Sequence, residues 1–173
     1  MGAVALRLYR RAWITQLRGI DVTEEEGVRV IRITPEAGTV KNRRGRVVPL
    51  HEHLIDQGFL DFVASRRNGP LFYNASKDGP RVSVATSPTK PRYVQARERL
   101  ATWIRGLGVD DQEISPNHAW RHSFKQIAAR NNISDGMSDY ITGHAPASVA
   151  RGYGAPTVKD MAEALKKFPR YEI

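Results

Sequence analysis

The chain of 173 residues contains no cysteine. That excludes disulfides, thiolate metal sites and a cysteine nucleophile in one step. No apolar run reaches the length of a membrane-spanning helix, and the N-terminus lacks the ordered charged and apolar zones of a signal peptide. No repeat or low-complexity tract is present. Acidic residues are also in short supply: 18 Asp and Glu face 27 Lys and Arg, a net charge of +9. Polyanions are therefore the expected partners, and a cytoplasmic nucleic-acid protein is the simplest fit. The length suits one domain, residues 1–173, with a core of ordinary size.

What is present is concentrated between His118 and Tyr153. His118-Ala119-Trp120-Arg121-His122-Ser123-Phe124 is followed by Thr142-Gly143-His144 and then by Arg151-Gly152-Tyr153. Among them the imidazoles of His118 and His144, the Arg121 guanidinium and the Tyr153 phenol, in a basic chain, form a phosphate-handling set. Arg121 offers a planar fork matched to two phosphate oxygens. His118 and His144 can exchange protons near neutral pH. A phenol titrates near pH 10, so Tyr153 becomes a nucleophile only where cations or a base assist it. Residues 118 and 121 are one helical turn apart and can share a face. Taken singly, a His-x-x-Arg pair is more often a surface or packing pair, and a Tyr beside Gly a turn aromatic.

Together, these segments resemble the second half of the active site of the tyrosine recombinases, the phage-type integrases. That family reads roughly His-x-Leu-Arg-His-[Ser/Thr]-Phe, then Leu-Gly-His, then Tyr, and the separations from Arg121 to His144 to Tyr153 are similar. Trp120 and Thr142 stand where Leu is commoner.

Earlier in the chain, residues 3–18 contain no proline, and Leu6, Tyr9, Trp13 and Leu17 recur at helical spacing. An amphipathic helix ending at Gly19 is expected. The resemblance puts the family's first active-site arginine at Arg10, with Arg7 or Arg11 in its place if the register slips. Trp13 occupies the position that is acidic in the family, and Leu8-Tyr9 replaces small residues. Next, Val28, Val30, Ile31 and Ile33 predict a strand, residues 39–41 begin a second, and residues 46–50 form a third. This is a three-stranded antiparallel meander with a basic tip. Arg43, Arg44 and Arg46 there are candidate DNA contacts, since such cations displace condensed counterions, although edge strands also carry Lys and Arg to block aggregation. Lys41, followed by Arg46-Val47-Val48-Pro49-Leu50, resembles the family's hairpin lysine, which implies a general acid.

Helical spacing returns over residues 51–67, with His51 and His53 as exposed helix-start residues rather than metal ligands. A polar loop spans residues 79–91. Residues 93–107 predict a helix with Val94, Leu100, Trp103 and Ile104 on one face. An acidic loop, 110–113, precedes an active-site helix over 118–130, in which Lys125 is a further candidate for DNA contact. Short helices follow: 134–140 capped by Ser134, and 157–167 capped by Thr157 with Val158, Met161, Ala162 and Leu165 apolar.

The expected fold is a mainly helical α+β domain similar to a tyrosine-recombinase catalytic domain. The resemblance implies cleavage and rejoining of double-stranded DNA through a 3′-phosphotyrosyl link, without metal or other cofactor. It assigns Tyr153 as nucleophile, Arg10 and Arg121 as phosphate clamps, Lys41 as acid, His118 as proton acceptor and His144 as a hydrogen-bonding partner of the phosphate. It also implies a homo-oligomer on DNA, a tetramer in the full complex. Family members usually carry a separate N-terminal DNA-binding domain, so a fragment is expected here. An inactive DNA-binding remnant and a type IB topoisomerase-like activity are the alternatives. In the family, the segment after the tyrosine often packs on a neighbouring protomer, and packing in cis explains the same apolar face.

Overall fold

The computed structural model describes residues 14–37, 45–66, 68–74, 90–109, 111, 113, 116–144 and 154–171; of residues 116–119 and 121 it describes the backbone alone. Among the described residues the architecture is α+β: one three-stranded antiparallel sheet, its strands side by side in sequence order, and six α-helices.

Strands β1 (Val22–Glu25) and β2 (Val28–Ile33) pair from Val22 opposite Ile31 to Glu25 opposite Val28. Glu26 and Gly27, at φ 53° and 79°, make the two-residue turn between them. Both central residues at positive φ match the right-handed twist of a hairpin. The β1 strand departs from the expected meander, whose first strand was 28–33. Its Val-Thr-Glu-Glu sequence is too polar to show alternation. The turn fixes its register, and cross-strand ion pairs, Arg29 with Glu24 at 3.2 Å and Arg32 with Glu25 at 3.1 Å, accompany it. Strand β3 (Arg46–Pro49) pairs with β2 from Ile33 opposite Arg46 to Val30 opposite Pro49. Pro49 is tolerated because β3 is an edge strand among the described residues. The strand expected over 39–41 lies outside the described residues.

The helix expected to run to Gly19 is replaced, over its described part, by tight turns. Ile14–Gln16 and Gly19–Asp21 are 3-10 helices. Ile14, Thr15, Gln16 and Leu17 are all buried, so this stretch has no solvent face of the kind an amphipathic helix needs. Instead it runs antiparallel to 69–71, with Gly19 N–H donating to the Gly69 carbonyl at 2.8 Å and Leu71 N–H to the Leu17 carbonyl at 2.9 Å. The Arg18 guanidinium and its own N–H both hold the buried Asp21 carboxylate, and this hydrogen bonding raises the Arg18 pKa above its ordinary value.

The helical stretch expected over 51–67 divides at Gln57-Gly58 into α1 (Glu52–Asp56) and α2 (Phe59–Arg66). His51 is not exposed: it is 2% accessible and caps α1. The His53 N–H donates to His51 Nδ1 at 3.1 Å. A backbone N–H can only donate, so Nδ1 holds the lone pair, and Nε2 carries the proton that it gives to the Phe168 carbonyl at 3.0 Å.

Helix α3 (Arg92–Gly106) buries Ala96 and Ile104 and packs on the helix over Pro116–Arg130. Trp103, expected inward, is 53% exposed. Ala96 and Ile104 are buried, and Leu100, midway between them at the same four-residue spacing, packs partly buried against the core, which leaves residue 103 a quarter-turn away. Helices α4 (Pro116–Arg130), α5 (Asp135–Thr142) and α6 (Val158–Lys166) follow. Ser134 caps α5 by accepting from the Met137 N–H at 3.3 Å. Thr157 and Asp160 form a reciprocal capping box on α6.

The apolar face of α6 (Val158, Met161, Leu165) packs in cis on β3 and β2. Beyond it, Phe168 stacks on Phe124 of α4, ring centroids 4.8 Å apart and planes at 14°. The core thus joins the sheet edge, the C-terminal helix and α4. Among the described residues, no helix is long and apolar enough to cross a membrane.

Candidate functional site

Helix α4 turns its Phe124 and Ala128 fully into the core. Residue 121 precedes Phe124 by three positions, and 118 precedes 121 by three, so both lie on the first turns of a helix anchored further along by that buried pair. Lys125 follows 118 by seven positions, two turns on. Helix α4 packs against α5, whose last turn leads to His144.

That last turn ends in a Schellman motif. Gly143 adopts φ 67° and ψ 42°, its N–H reaching the Tyr140 carbonyl at 3.2 Å, while the His144 N–H reaches the Asp139 carbonyl at 2.9 Å. The Thr-Gly-His triplet is therefore a helix stop that fixes the direction of His144. The ring is held as well. Its Nδ1 lies 2.8 Å from Thr142 Oγ1, and that hydroxyl donates to the Ser138 carbonyl at 2.7 Å. Because the hydroxyl has one proton and spends it on Ser138, Nδ1 must supply the proton between Thr142 and His144.

Around this ring the charges alternate. Asp139 Oδ1 lies 3.5 Å from His144 Nδ1 and 2.7 Å from the Lys125 ammonium. Arg46, the first residue of β3, extends its half-buried side chain over Gly143, where a Cβ would overlap Nη1 and Cζ. Glycine is needed here for two reasons: the positive φ and the approach of the guanidinium. Lys125 from α4 and His144 from the end of α5 thus share one carboxylate, and Arg46 from β3 lies against the glycine between Thr142 and His144.

Of the ten residues expected to act on DNA, His144, Arg46 and Lys125 are brought together at this point. His118 and Arg121 have their backbone positions on α4, and their side chains lie outside the described set. Arg10, Lys41, Arg43, Arg44 and Tyr153 lie outside the described residues altogether. Sequence reasoning missed Asp139 and Thr142. Thr142 carries the one readable signal, a hydroxyl where the resembling motif has Leu. Asp139 has none, because its partner Lys125 sits on a different helix. Among the described residues, no three His, Asp or Glu side chains converge as metal ligands.

Comparison with known proteins adds no relative: no family model, no curated protein and no solved structure matches the chain.

Proposed function

We propose that the chain is the catalytic domain of a site-specific DNA recombinase that breaks and rejoins strands through a 3′-phosphotyrosyl intermediate. The observation that carries the reading is the approach of Arg46 from β3 to Gly143 and of Lys125 from α4 to Asp139, on either side of His144 at the end of α5; α4 also bears positions 118 and 121. A phosphodiester needs such a set: donors preorganised where charge accumulates in the transition state. The sequence resemblance supplies the remaining roles.

In this mechanism the Tyr153 oxygen forms a bond to phosphorus as the bond to the 5′ oxygen breaks. Arg10 and Arg121 hold the non-bridging oxygens, and Lys41 protonates the leaving 5′ oxygen. His118 takes the phenol proton, and His144 donates to the phosphate through Nε2. Attack by the 5′-hydroxyl of another strand reverses these steps. The phosphodiester energy stays in the covalent link, so no nucleotide is consumed. The net charge of +9 draws the chain to DNA in a salt-dependent way.

Covalent trapping tests the proposal. The wild type and Tyr153→Phe are each incubated with nicked duplexes that lose a short fragment on cleavage, drawn from a pool of mixed sequences. The expected result is a denaturation-resistant adduct with the wild type and none with the variant. DNA binding without an adduct would point to a remnant that no longer cleaves. Relaxation of supercoils without paired sites would point to a topoisomerase-like activity.

A further inference from the structure

We infer that Asp139 is a positioning residue that governs the proton on His144 Nε2, with Lys125 as its opposing cation; this rests on the strand-transfer reading of the site. Thr142 Oγ1 gives its only proton to the Ser138 carbonyl at 2.7 Å, so the 2.8 Å contact with His144 is an Nδ1–H donation. Nδ1 is thereby protonated in either charge state. In the neutral ring, Nε2 bears a lone pair and would repel a phosphate oxygen. Only the imidazolium has the Nε2–H that a phosphate can accept.

Whether that cation forms depends on the charges around it. Asp139 Oδ1, on a side chain only 14% exposed and 3.5 Å from Nδ1, favours it. Lys125, on α4 and 2.7 Å from the same oxygen, opposes it by sharing the carboxylate. Arg46, reaching Gly143 from β3, opposes it too. The Schellman turn holds the ring, and the packing of α4 on α5 holds Lys125 and Asp139, so the balance is built into the fold. Asp139 does not touch the reacting phosphate. It acts through His144, as a carboxylate behind a histidine does wherever it sets the tautomer and charge of the ring.

The test uses the full chain labelled with 15N at histidine, its ring nitrogens followed by NMR from pH 5 to pH 9, with His144→Gln assigning the signal. The neutral ring is expected as the Nδ1–H tautomer. Asp139→Asn, which keeps the shape and removes the charge, should move the titration midpoint down by about one pH unit. Lys125→Met, which frees the carboxylate, should move it up. A merely structural role for the pair would not give shifts of opposite sign. An Nε2–H neutral tautomer, or a midpoint that stays put in Asp139→Asn, overturns the inference. The Tyr153 adduct is measured in parallel: the alkaline limb of its pH profile should shift with the ring in both variants. Opposite ring shifts in a wild-type chain that forms no adduct would leave the coupling standing and remove the strand-transfer reading.

Discussion

His51 offers a stability prediction whose sign and size follow from three contacts. The ring is buried, caps α1 by accepting from His53 N–H, and donates to the Phe168 carbonyl. Burial, which disfavours the charged form, holds its pKa below the usual histidine value; the carbonyl of Phe168 and nearby Glu52 pull the other way, and His53 and Arg170 add to the depression. Protonation would also place a proton on Nδ1 directly against the His53 N–H. A depressed folded-state value means that the unfolded chain binds more protons between the two values, so stability rises with pH. The contribution is complete above the ordinary value of 6.5 and is lost as pH falls through the folded value. Replacing the ring separates its roles. His51→Phe removes the cap, about 1 kcal/mol, and leaves the Phe168 carbonyl without its donor, about 1–3 kcal/mol. His51→Asn keeps a capping acceptor and should lose only the second contribution. Urea unfolding followed by tryptophan fluorescence, from pH 8 to pH 5, measures both. The deficit of each variant should be largest above pH 7 and shrink toward pH 5, because only the wild type loses the histidine contribution in acid. A deficit that is the same at every pH, or below about 1 kcal/mol for His51→Phe, would refute the reasoning.

Gly143→Ala should destabilise by about 1–3 kcal/mol, combining the cost of a left-handed non-glycine residue with displacement of Arg46. In an Arg46→Ala background the loss should be smaller, and a urea-unfolding double-mutant cycle reads the difference; equal losses in both backgrounds would show that the guanidinium is not the obstacle. Thr157→Ala, which opens the capping box on α6, should lower stability by about 1 kcal/mol, and an unchanged unfolding midpoint would count against the box as a stabilising feature.

How much of this was legible in the sequence depends on the distance over which each feature is decided. Helices α4, α5 and α6 were readable within a residue or two because their ends are local: Ser134 and Thr157 are capping side chains, and Gly143 is a C-terminal stop. Strands β2 and β3 were readable from β-branched residues. Strand β1 was not, since Thr23, Glu24 and Glu25 owe their extended form to partners on β2. The inward turn of His51 is a tertiary outcome that periodicity does not contain, and which face of α3 turns inward, that of Ala96 and Ile104 rather than that of Trp103, is settled by what the helix packs on. At the site, residue types were legible and their grouping was not. Nothing in the chain order announces that Arg46 reaches Gly143 or that Lys125 holds Asp139.

The C-terminal segment connects these two levels. Val158, Met161 and Leu165 cover β3, the strand that starts with Arg46. Phe168 stacks on Phe124, which anchors the helix carrying positions 118 and 121, and its carbonyl receives the His51 proton. One stretch of chain therefore clamps both elements that approach His144 from outside α5. Moving it onto a second copy would expose the faces of β3 and Phe124 unless an identical segment returned in exchange. The apolar side of α6 is satisfied within its own chain, so any assembly of copies would have to use other surfaces or a reciprocal swap that rebuilds the same contacts. In either arrangement the Phe124–Phe168 stack remains the brace of the α4 helix, and the site depends on it.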